Sequence, residues 1–198
     1  AVSFPQIKRS ARKIVTVQET NQAFVVLGYL ADSVGGPDYA ALKLVSTYLG
    51  NGLSSRLFVE LREKQGLAYD VSAFYPTRLS QSQFIAFIGT APDNVPVALA
   101  GLRKDITRLT TTPLSAVVLQ VCKYKILGQY ALGKQTNSQI AQTLGWYEVL
   151  GLGMEFDEEF QRAIAAVTVE DVQSAAKRCF TEESVSVLGP AAAVEPLR

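Results

Sequence analysis

The chain alternates apolar and polar residues from Lys13 to Glu19, KIVTVQE, and then runs almost continuously apolar and β-prone from Gln22 to Ala31, QAFVVLGYLA. The first pattern predicts an outer strand and the second a central one. Gly35, Gly36 and Pro37 mark a turn, with Pro37 suited to a first helical turn. Tyr39, Leu42, Leu44, Val45, Tyr48 and Leu49 then form the apolar face of a helix that ends at Gly50. A short helix follows, with Leu57, Phe58 and Leu61 as its stripe, Ser54 or Ser55 as acceptor for the first free amides, and Gly66 in the left-handed position after the last turn. Past Gly66 the period changes to two. Leu67, Tyr69, Val71, Ala73 and Tyr75 fall on one face of a strand, with Ala68, Asp70, Ser72 and Phe74 on the other. Gln83 to Thr90, QFIAFIGT, reads as its hairpin partner beyond the break at residues 76–82.

From Pro92 the period is helical almost to the end. Asp93 opens a helix buried through Val97, Leu99, Leu102, Ile106 and Leu109, and Thr112 with Pro113 starts another that reaches Leu132. Asn137 or Ser138 caps a third, through Ile140, Leu144, Tyr147 and Leu150. A short helix begins near Asp157, and Thr168 with Asp171 caps one that runs to Cys179. Ser184 to Leu188 is a last strand. Strands and helices are segregated rather than alternating, so the expectation is an α+β domain with helices on one face of a largely antiparallel sheet. The 198 residues fit a single domain, with 1–12 as a lead-in arm and 191–198 as a frayed tail.

Composition narrows the chemistry. With 19% charged residues, a net charge of +1 and no basic cluster, the chain carries no footprint for nucleic acid. No apolar run approaches the ~20 residues that cross a bilayer, so no membrane insertion is expected. The first residue is Ala1 and no leader precedes it, which suggests a mature or excised segment. Cys122 and Cys179 sit in helical patterns and are expected as buried free thiols. The deciding fact is the absence of histidine. Hydrolytic zinc sites, Ser-His-Asp triads and Cys-His pairs all need imidazole, so any such chemistry must be shared with another polypeptide.

Residues 50–69, GNGLSSRLFVELREKQGLAY, place Arg62 and Tyr69 seven positions apart across a helix-to-strand turn. This run resembles the metal-free C-terminal half of the pitrilysin-like zinc metallopeptidases, the family of insulin-degrading enzyme and the mitochondrial processing peptidase. In that family two similar halves face each other across a chamber, one of them binding zinc through an inverted His-x-x-Glu-His helix. The resemblance implies one half-domain of the processing-peptidase-like fold. It also implies that this chain carries no cofactor, that zinc sits on a histidine-bearing partner domain or subunit, and that a peptide is the substrate. Arg62 and Tyr69 are the positions that match the family's auxiliary catalytic Arg and Tyr. The same resemblance extends to relatives that keep the fold as silent scaffold, such as core subunits of the respiratory cytochrome complex.

The chemistry is sensible in itself. A phenolic O–H can donate to the oxyanion of an attacked peptide carbonyl, and a guanidinium can hold substrate carbonyls or a carboxylate in a fixed fork. By residue chemistry alone, an arginine at a helix end also suits the dipole and a strand tyrosine commonly packs its ring. The Gly50-Asn51-Gly52 run lacks the strand context and Lys-Ser/Thr ending of a phosphate loop. Asp157, Glu158 and Glu159 read as a solvated helix start rather than as metal ligands, and the tyrosines and phenylalanines as core.

Overall fold

The computed structural model describes residues 5–197. Among them five strands, β1 (Arg12–Val17), β2 (Ala23–Ala31), β3 (Asp70–Phe74), β4 (Ser82–Thr90) and β5 (Ser184–Gly189), make one sheet in the order β1-β5-β2-β4-β3. Neighbours are antiparallel except β1 with β5. The expected hairpin is β3 with β4, in a register that sets Val71 opposite Ile88 and Ala73 opposite Ala86. Helices α1 (Tyr39–Gly50), α2 (Val95–Thr111) and α6 (Val169–Cys179) lie against the sheet. Outside them α3 (Ala116–Leu132) and α5 (Phe156–Ala166) pack over α1, and α4 (Asn137–Val149) packs on α5. The α+β architecture with a mostly antiparallel sheet is therefore the one the hydrophobic pattern predicts.

Strand alternation decides which face the helices cover. Val25, Leu27, Phe84, Ala86, Ile88, Val71 and Val187 are buried beneath the helices. Their neighbours Val26, Leu30, Ile85 and Phe87 are only half-buried, and Phe24 and Phe74 are exposed on the other side. The expectation that the aromatic residues are all core is thus corrected. A sheet covered on one side leaves every second position open, and Phe24, Phe74 and Phe87 occupy such positions.

Helix starts differ from the sequence reading, beginning with α2, which opens at Val95 after a 3-10 turn at Pro92–Asn94 that holds Asp93. The extended backbone at Thr112 continues to Ser115, whose Oγ accepts from the Val118 N–H at 3.3 Å, so α3 starts there and not at Thr112 and Pro113. Thr136, not Asn137 or Ser138, caps α4, because Gln139 three residues on returns the bond to the Thr136 N–H. Pro37 lies one residue before the Asp38 cap of α1 instead of inside its first turn. The C-terminal stretch is not frayed among the described residues. After Pro190 the chain makes a helical turn, α7 (Ala191–Val194), that buries Val194 completely, followed by a 3-10 turn at Glu195–Leu197. Val194, with Ala193 and Leu197 packed against the same core, orders this stretch, and composition alone hides it.

Candidate functional site

The corner at residues 56–70 begins with the helix that carries Arg62. Leu57 and Leu61 are fully buried, as their spacing predicts. The turn is wider than an α-helix, however, and Phe58–Glu63 is a π-helical turn. Lys64 N–H donates to Val59 O, five residues back, at 3.0 Å. Such turns hold one residue more than an α turn and recur at functional sites. No serine caps it. Ser54 Oγ accepts from Lys125 Nζ at 3.1 Å, while Ser55 Oγ is buried with no hydrogen-bond partner among the described residues.

Gly66 terminates the turn with φ +63°, the left-handed conformation expected of it. Its N–H donates to Arg62 O at 3.1 Å, and Leu67 N–H to Leu61 O at 2.8 Å. Each bond spans one residue more than in an ordinary Schellman cap, as a π turn requires. The chain then locks onto the sheet. Thr90 Oγ1, fully buried on β4, donates to Leu67 O at 2.6 Å, and Tyr69 N–H donates to Gly89 O at 2.9 Å.

Tyr69 does not follow the alternation read from the sequence. Leu67 and Val71 are buried on the helix side, whereas the Tyr69 ring, of the same parity, is 55% exposed. The backbone bends at Tyr69 and regular pairing starts only at Asp70, so the period of two does not yet hold there. Arg62 is exposed too, its guanidinium carbon 5.0 Å from the centroid of the Phe58 ring. Neither the Arg62 guanidinium nor the Tyr69 hydroxyl has a hydrogen bond or ion pair among the described residues. Of the nearby acids, Glu60 is engaged elsewhere. Glu60 takes Lys64 at 2.7 Å and Arg56 at 3.1 Å, and the Lys64 hydrogen bond, with Arg56, holds its carboxyl below the ordinary range. The corner therefore presents two uncommitted donors, one on each side of a tightly bonded glycine turn.

Histidine is absent, and among the described residues no three His, Cys, Asp or Glu side chains converge. Cys122 and Cys179 are free and buried, and burial pushes the Cys179 thiol up to about 12. These residues do not fit a catalytic zinc site. Asp157 is not a solvated helix start either. It accepts from Tyr130 Oη at 2.6 Å and from Lys134 Nζ at 2.7 Å, tying α3 to α5. On the open sheet face a groove of about 460 Å³ runs between the arm residues Ile7 to Ser10 and Ile14, Val26, Leu30 and Ile85. Sequence reasoning passed over this groove because the half-buried positions of β2 and β4 look like core in a continuous apolar run.

A family profile described as the peptidase M16 inactive domain matches residues 2–123. The chain belongs to that family. An uncharacterized zinc protease of Streptomyces coelicolor is 29% identical to this M16 inactive domain over 186 residues, which are 93% of this chain and 40% of the relative. The chain thus spans less than half the length of the curated relative it matches. Among solved structures, a peptidase M16 inactive domain from Pseudomonas fluorescens superposes with a TM-score of 0.83 at 23% identity, covering 96% of this chain and 47% of that one. A chain of Complex III2 from Candida albicans superposes with a TM-score of 0.75 at 14% identity, covering 90% of this chain and 46% of that chain. At such identities the superpositions report the fold alone.

Proposed function

We propose that this domain is the non-zinc half of a two-part zinc metallopeptidase, with Arg62 and Tyr69 serving substrate binding and oxyanion stabilisation. The observation that carries this reading is the pair of exposed side chains, Arg62 and Tyr69, without polar partners on either side of a rigid turn. A donor already engaged with Glu60, Glu63 or Asp70 would first have to be released. The similarity to proteins described as zinc proteases supplies the context. A histidine-bearing zinc domain, in the same polypeptide or in a second chain, is the partner this reading requires. The open sheet face with its groove then lines the space between the halves, and an extended peptide is the substrate. Within that space the Tyr69 Oη–H donates to the oxygen of the attacked carbonyl, and the Arg62 guanidinium donates to a neighbouring carbonyl or carboxylate. Neither has to change its protonation state.

The second reading is a silent scaffold of the same fold, which the sequence resemblance also implies; the Complex III2 chain shares that fold. Tyr69→Phe in the complete protein, assembled with its zinc half, separates the two. Loss of one preorganised oxyanion donor costs about 10² to 10³ in turnover. We expect kcat on an unstructured peptide to fall by that factor with an unchanged melting temperature, because the exposed hydroxyl holds nothing together. A fully active Tyr69→Phe enzyme would end the assignment. A complete protein without an inverted His-x-x-Glu-His helix, in this or a partner chain, would favour the scaffold.

A further inference from the structure

Behind the corner lies a second set of charges that touches neither Arg62 nor Tyr69. Arg56 Nε donates to Asp105 Oδ1 at 2.9 Å, and the Asp105 side chain is only 4% exposed. Arg56 also reaches Glu60 through Nη1 at 3.1 Å, and Lys64 closes on the same carboxylate. Arg56 before the π turn, Glu60 within it and Lys64 just after it thus alternate in charge, and Asp105 fastens the series to α2. A second attachment lies one turn earlier on α2. A Cβ at Gly101 would stand 2.6 Å from Leu61 Cδ2, so the fully buried Leu61 seats on the bare backbone of Gly101. The π turn is therefore tied to α2 by a polar contact just before its start, at Arg56, and an apolar one within it, at Leu61.

These contacts matter because a π turn is an excess of one residue. An α-helix advances about 100° per residue, so expelling that residue would swing all that follows by about 100° relative to what precedes. Arg62 lies inside the turn, and Tyr69 hangs from its end through Gly66. Relaxation to α geometry would therefore re-aim Arg62 and pull on the Leu61–Leu67 closure that sets the path to Tyr69. Local geometry of this kind persists only where its surroundings over-determine it. Burial works against the Arg56 charge, but the hydrogen bond and charge of Asp105 outweigh it and hold the guanidinium's pKa above its ordinary value.

We infer that Arg56 and Asp105 are positioning residues, whose bridge keeps residues 58–63 in the π form and thereby sets the aim of Arg62 and Tyr69. This rests on the function proposed above for that pair, but its structural half stands apart from it. The test uses the complete protein with its zinc half and a fluorogenic unstructured peptide. Asp105→Asn keeps the volume and removes the charge. It should lower kcat/KM by about 10²-fold, the scale of a small misplacement of catalytic groups. Combined with Arg62→Ala and Tyr69→Phe together it should add little to their joint loss, because it acts through those two groups. Hydrogen exchange of residues 57–67 should accelerate at least tenfold, with α6 unchanged. Should Asp105→Asn fail to fold, the Arg56→Gln/Asp105→Asn double variant leaves no unpaired charge and replaces it. Unchanged exchange with full activity overturns the inference, as do fully additive losses. If Arg62→Ala alone leaves turnover intact, the function proposed for Arg62 falls, and the exchange readout still decides whether the bridge holds the turn.

Discussion

At Gly50 the last turn of α1 meets β3 backbone to backbone. A Cβ there would lie 1.9 Å from Ala73 N and 2.3 Å from Ala73 O, both main-chain atoms that cannot rotate away. Gly50→Ala must therefore separate helix from strand. Overpacking typically costs about 1 to 3 kcal/mol, and a clash with fixed backbone belongs at or above the top of that range. Chemical denaturation should show a loss of about 3 kcal/mol, whereas Gly128→Ala, with nothing within 4 Å of the new methyl, should be neutral or stabilising. Much at this scale was legible in the sequence. Spacing alone marks Gly66 as a left-handed cap and Leu57 and Leu61 as buried, as they are. The facing of Tyr69 was not legible, since alternation presumes regular pairing and the bend at that residue precedes it. The Arg56–Asp105 bridge was hidden for another reason. Its members belong to different elements, and no local spacing links a residue of the corner to one on α2.

Element ends carry the next scale of energetics. The Thr168–Asp171 box of α6 was readable because its two members are three residues apart, and Asp171 accepts from Thr168 N at 2.8 Å. The Asp157 anchor joins α3 to α5 and could not be read that way. Burial disfavours the Asp157 charge, but hydrogen bonds from Lys134 and Tyr130 outweigh it and hold the carboxyl below its ordinary value. The sign follows from linkage. A carboxyl depressed in the folded state contributes stability above its unfolded pKa, about 3.9, and loses it as pH falls through the folded value. The melting temperature should drop as pH is lowered below about 4, and Asp157→Asn should flatten that slope while lowering stability at pH 7. An unaltered slope in thermal melts would show that this carboxyl is not responsible.

For the molecule as a whole, the α+β class and the hairpin of β3 and β4 followed from the hydrophobic pattern, but the strand order did not. Nothing in the pattern of β5 says that it lies between β1 and β2, because insertion of a strand is a long-range fact. The absence of histidine had the opposite character, a single count that removes a class of chemistry. On that basis the isolated 198-residue chain should carry no stoichiometric zinc and cleave no peptide. Elemental analysis together with chelator-sensitive cleavage by the purified domain would contradict this.

The place of β5 also orders events in time. Its partners β1 and β2 are both made early, and neither can complete its pairing until a strand about 170 residues beyond β1 has been synthesised. While the ribosome works through the helices, β2 and β4 can zip together as an antiparallel pair, but the other edge of β2 stays open. While residues 91–183 are being made, this domain thus carries an apolar strand paired on one edge only, and the closing stitch joins the two ends of the fold. Such a topology folds slowly, and its exposed edge is a natural client for chaperones until β5 arrives.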